Sequence, residues 1–198
     1  AERAGLEVHG VVGDFRRHLP DLLDATAGAP RTIAFLGGTI GNLNRTERHE
    51  FLTTLRAGMT SSDSLLLGTD LVKDPDRLVR AYDDASGVTA EFNRNVLRVL
   101  ARELGADVDP DAWDHVARWD AEEEWIEMRL APQGTQRIAV ADLGIDRTFG
   151  PGETLRTEVS AKFRREKVES ELAAAGLTLT HWWTDAQGDF ALSLAVKR

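Results

Sequence analysis

The chain has 198 residues, 42% of them hydrophobic, enough to bury a core in one large domain or two small ones. Its formal charge of -9 sets it against nucleic acid and against an anionic membrane surface, since both repel an acidic body. It contains no cysteine, which removes disulfides and thiolate metal sites and makes the cytoplasm the expected compartment; no apolar run approaches a bilayer span and the first ten residues do not read as a signal peptide.

Three apolar, strand-like segments, 6 to 15, 31 to 42 and 63 to 72, alternate with helical spacing at 16 to 25 and 45 to 57, the pattern of βαβ units and a parallel sheet. From Asp74 the apolar period becomes helical, with Leu78, Tyr82, Phe92, Val96, Leu97 and Leu100 on one stripe, a break at Gly87 and a stop at Gly105. Residues 112 to 160 then read as antiparallel strands separated by Pro, Gly and Asp turns. A helix ending at Gly176 and two strand candidates joined through AQG close the chain. The expected architecture is an α/β core from 1–71 and 163–198 with an inserted α+β sub-domain at 72–162.

Three constellations stand where chemistry is done. FLGGTIGN sets Gly37, Gly38, Thr39, Gly41 and Asn42 at the carboxyl end of a buried strand, where open α/β sheets bind ligands, although a strand-to-helix turn capped by Asn42 needs the same residues. Asp14 and Phe15 close the first strand-like segment; a carboxylate beside an aromatic face suits an adenine, and equally a turn cap beside a core Phe. Glu158 and Ser160 alternate on one face of a strand, an acceptor and a donor that match the two nitrogens of a neutral imidazole; a solvated edge strand is the plain alternative. The five histidines show no metal-ligand spacing, the tryptophans at 182 and 183 read as packing residues, and the run Glu122 to Glu124 reads as a solvated face.

HGVVGDF, FLGGTIGN, SLLLGTDLVKD, RLVRAYDDASGVTAEFNRNVL, TEVSAKF and THWWTDAQGDFALSLA, in that order, resemble the histidine-specific Nα-methyltransferases of ergothioneine biosynthesis over essentially the whole chain. The resemblance implies a Rossmann-like class I methyltransferase core and trimethylation of the α-amine of L-histidine to hercynine with S-adenosyl-L-methionine as cofactor. It implies cofactor contacts from Asp14, Phe15 and Gly37, amine contacts from Thr39 and Asn42, Tyr82 on the carboxylate side, and an imidazole read by Glu158 and Ser160 between walls formed by Met128 and Phe92. No separate catalytic base is implied. Against the sheet order 3, 2, 1, 4, 5, 7, 6 of such cores the chain is expected to start at strand 3, without the first two strands and their glycine-rich loop. A complementing N-terminal chain and no methyl transfer by these residues alone would follow. A related amino-acid methyltransferase with another substrate and a non-catalytic binding remnant are the competing expectations.

Overall fold

The computed structural model describes residues 8–26 and 28–198. In chain order the elements are α1 (Leu19–Ala25), β1 (Thr32–Phe35), α2 (Arg45–Ala57), β2 (Ser64–Asp70), α3 (Pro75–Tyr82), α4 (Val88–Leu104), β3 (Trp113–Asp120), β4 (Trp125–Pro132), β5 (Gln136–Val140), β6 (Ile145–Phe149), β7 (Leu155–Ala161), α5 (Arg165–Ala174), β8 (Leu177–Thr184) and β9 (Phe190–Lys197). The main sheet runs β1-β2-β9-β8, with β1 and β2 parallel and the other two pairs antiparallel. That is the 4, 5, 7, 6 half of the expected class I order, in an α/β fold.

Local chemistry sets these elements. α2 begins in a capping box, in which Asn44 accepts from the Glu47 amide at 3.0 Å and the Glu47 carboxylate accepts from the Asn44 amide at 2.9 Å. Its Leu52 and Leu55 join Leu65 of β2, Leu172 of α5 and Leu177 of β8 in one core, all at most 1% exposed. A second core gathers Leu97 of α4, Trp113, Leu130, Ile138 and Phe149 between α4 and the sheets β3-β4-β7 and β5-β6.

One expected element is corrected. Residues 8 to 15 of the first strand-like segment form no strand; residues 6 and 7 lie outside the described residues. Val8, Val11 and Val12 are 72%, 67% and 104% exposed, and Asp14 opens a turn whose carbonyl accepts from the amides of Arg17 and His18. β1 pairs with β2 alone among the described strands, and residues 8 to 15 do not take up its other edge. The expected strand at 31–42 is also shorter, because the chain leaves extended geometry at Gly37 and Gly38, where φ is 81° and 75°.

Candidate substrate and cofactor cleft

Two close backbone contacts assemble the cleft. After β1 the chain makes a 3-10 turn, Thr39–Asn42, whose Gly41 lies so near β7 that an added Cβ would stand 2.8 Å from the Ala161 carbonyl. Phe163 then docks on the end of β2, its amide donating to the Asp70 carbonyl at 2.9 Å and its carbonyl accepting from Val72 at 3.0 Å. The carboxyl ends of β1, β2 and β7 therefore converge. α3, capped by Asp74, brings Tyr82 to the same place. The cleft between them encloses about 390 Å³ and is lined by Gly37, Thr39, Asn42, Tyr82 and Ser160 together with Asp70 and Lys162.

Lys162 is the centre of its polar network and is fully buried. Its ammonium donates to Tyr82 Oη at 2.8 Å and Ser160 Oγ at 2.9 Å and pairs with Asp70 Oδ2 at 2.9 Å, while Tyr82 Oη and Ser160 Oγ lie 2.8 Å apart. The same ammonium stands 4.7 Å from the Tyr82 ring centroid, a cation–π contact. Asp70 is shared with Lys73 at 2.6 Å, which approaches Asp189 at 3.9 Å. Lys162, Asp70 and Asp189 are not among the residues singled out in the sequence. The signal for Lys162 was present: the alternation that pairs Glu158 with Ser160 reaches Lys162 two residues on.

Glu158 lies half-buried beside this network, in a smaller adjoining hollow that shares Asn42. Burial pushes its carboxyl above the ordinary carboxylate value, and the nearby positive charge of Lys162 opposes that shift. No hydrogen bond holds the Glu158 carboxylate among the described residues. Met128, 4% exposed, is its cross-strand partner on β4.

Tyr82 is also fixed from behind. Asn93 Nδ2 donates to His115 Nδ1 at 2.8 Å and to the Arg129 carbonyl at 3.0 Å, which leaves His115 Nε2 to donate to the Tyr82 carbonyl at 2.7 Å. Asn93 is fully buried and also accepts from Thr157 Oγ1.

The remaining expected residues lie apart. Asp14 Oδ1 accepts from the amides of Arg16 and Arg17, bonds that hold the carboxyl below its usual value, and Asp14 lines a separate hollow beside α2. Phe15 is closer to β1, its ring centroid 5.4 Å from Phe35 and 5.9 Å from Phe51, with 44% of the residue exposed. Phe92 is 62% exposed on α4 and does not line the cleft. For a nucleoside cofactor, the residues at the end of β1 fit. Gly37 has open space on its Cβ side, where an added carbon would meet only Thr39 Oγ1 at 3.9 Å, and Phe15, which packs on Phe35 of β1, stays 44% exposed.

A polar cleft at the carboxyl end of an α/β sheet, on which three hydroxyls, Asp70, Lys162 and glycine backbone converge, lies where open α/β sheets bind small molecules. Residues 1–197 match the family model described as histidine-specific methyltransferase, SAM-dependent. The chain is 56% identical over 197 residues to a histidine N-alpha-methyltransferase of Mycolicibacterium smegmatis, covering 100% of the chain and 60% of that protein. It is 56% identical over 196 residues to a protein of the same description from Mycobacterium tuberculosis, again covering 60% of it. An L-tryptophan methyltransferase of Psilocybe serbica is 28% identical over 174 residues, with 86% of this chain and 48% of that protein covered. The chain belongs to the family of histidine-specific, SAM-dependent methyltransferases, and it spans about 60% of the length of the first two relatives. Among the described residues no helix is long and apolar enough to cross a membrane.

Proposed function

We propose that the protein carrying these residues transfers methyl groups from S-adenosyl-L-methionine to the α-amine of L-histidine, three times in succession, giving hercynine. The observation that carries this reading is Glu158: a half-buried carboxylate whose acceptors no hydrogen bond fills among the described residues, one strand period from Ser160. Residues i and i+2 of a strand stand about 7 Å apart, room for one five-membered ring between two hydrogen bonds of about 2.8 Å. Ionised Glu158 accepts from the ring N–H and the Ser160 hydroxyl donates to the other nitrogen.

Around that anchor, Thr39 and Asn42 hold the α-amine, Tyr82 lies on the carboxylate side, and Met128 closes the ring pocket behind Glu158. Gly37 and Phe15 line the cofactor's approach; Asp14 would reach the adenine with the oxygen not engaged by the Arg16 and Arg17 amides. Phe92 serves as a wall only if α4 moves against the bound ligand. Bound S-adenosyl-L-methionine supplies an electrophilic methyl group. The chain's own task is to hold a neutral amine nitrogen in line with that carbon, which positioning alone accelerates by several orders of magnitude. Residues 72–162 form the substrate domain in this reading, and the compartment is the cytoplasm. The test is a labelled-donor assay on the protein expressed from its whole reading frame, with L-histidine and L-tryptophan compared. Histidine should run to the trimethylated product, and faster turnover of tryptophan would refute the substrate assignment.

A further inference from the structure

Resting on the histidine reading, we infer that Lys162 is a specificity-determining positioning residue that turns the Ser160 hydroxyl into a donor only, so that the ring pocket requires one bare nitrogen as well as one N–H. An ammonium has three protons and no lone pair; it donates to Tyr82 Oη and Ser160 Oγ and forms an ion pair with Asp70 Oδ2. Both hydroxyl oxygens therefore accept from Lys162. A single proton also bridges Tyr82 and Ser160, whose oxygens are 2.8 Å apart. The phenol is the more acidic of the two and donates; Ser160 accepts twice, its two lone pairs are filled, and its own proton has only the cleft to enter.

The consequence is a polarised strand face. Position 158 offers an acceptor and position 160 a donor. Neutral imidazole satisfies both in one tautomer, whereas a ring with an N–H alone leaves the Ser160 proton unpartnered. A buried donor left unpaired weakens binding by roughly tenfold or more. Asp70 keeps the ammonium in place and is itself steadied by Lys73, so the charges facing Lys162 from β2, α3 and β7 are Asp70 and Glu158, with Tyr82 and Ser160 as the neutral partners. Without Lys162, one Ser160 lone pair opens and the hydroxyl can accept as readily as donate.

The experiment measures binding of L-histidine and of β-(pyrrol-2-yl)-L-alanine, whose ring has an N–H and no bare nitrogen, to the protein from its whole reading frame. It compares wild type, Lys162→Met and Tyr82→Phe, with S-adenosylhomocysteine binding as the reference. Wild type should prefer histidine by about tenfold or more, and Lys162→Met should reduce the ratio to below about threefold with S-adenosylhomocysteine affinity retained. Tyr82→Phe also frees a Ser160 lone pair and should lower the ratio, which decides the matter if Lys162→Met does not fold. The Tyr82 ring lies on the carboxylate side while its hydroxyl proton stays on Ser160, so what the ring contributes is common to both ligands and cancels from the ratio. A ratio that survives in both variants overturns the inference while leaving the histidine reading intact. A wild type with no preference for histidine overturns both.

Discussion

The two faces of the β4–β7 pair carry one carboxylate each, Glu127 buried and Glu158 half-buried, and the two are treated in opposite ways. On one face Glu127, only 3% exposed at its side chain, accepts from Arg118 at 2.7 Å, Arg129 at 2.7 Å and Arg156 at 3.0 Å. Burial pushes its carboxyl up, but the three guanidinium bonds prevail and hold it at about 2. On the other face Glu158 is raised by burial and holds no such partner among the described residues. The difference comes from a β-bulge. Met128 pairs with Glu158, yet the next residue, Arg129, pairs with Arg156, so Thr157 is an extra residue. Regular alternation would have put Arg156 on the same face as Glu158, where it would neutralise the acceptor. The bulge turns it to Glu127 instead. A saturated carboxylate holds two strands together; in the proposed function the unsaturated one takes the ligand.

The largest effect should follow from emptying the saturated face. Glu127→Ala leaves three guanidinium groups facing one another and should cost about 2 to 3 kcal/mol in urea unfolding, toward the lower range for a broken buried pair because the arginines are partly exposed. The wild type should show the same contact through acid. Because Glu127 is depressed in the fold, its contribution is present above the ordinary carboxylate range and lost as pH falls through about 2.

The bulge is the next target. The single Thr157 Oγ1 proton is shared between Asn93 Oδ1 and the Met128 carbonyl, and Thr157→Val should destabilise the protein by about 1 to 2 kcal/mol and weaken histidine binding through loss of register. Unchanged histidine affinity together with the stability loss would show that the bulge does not govern the ligand face.

The smallest effect has the opposite sign. Glu158 is raised in the fold, so the stability its protonated form contributes is present below the ordinary value and lost as pH rises through the raised one. Glu158→Gln should therefore melt about 1 to 3 °C higher than wild type near pH 7 and show no gain near pH 4. A lower melting temperature at neutral pH would mean that Glu158 has a stabilising partner after all.

Only the Glu158 side of this contrast was legible in the sequence; Glu127 and its three arginines were not read from it. α2 is written in Asn44, Glu47 and the apolar spacing that follows, all local signals. Glu158 and Ser160 share a face by alternation alone. The bulge is invisible to that counting, which assigns Arg156 to the wrong side. Lys162 resembles a solvated lysine until the docking of Phe163 on β2 brings Asp70 to it. The segment at 8 to 15 has a strand's composition without a strand's neighbour, and composition cannot report the neighbour.

The central claim is that the unsaturated face reads the imidazole, and titration calorimetry of Glu158→Ala in the protein from its whole reading frame tests it most directly. Loss of a charge-assisted hydrogen bond of about 1.5 to 3 kcal/mol should weaken L-histidine binding by at least tenfold while S-adenosylhomocysteine affinity stays within about twofold of wild type. Equal weakening of both ligands, or histidine affinity unaffected by the substitution, would contradict it.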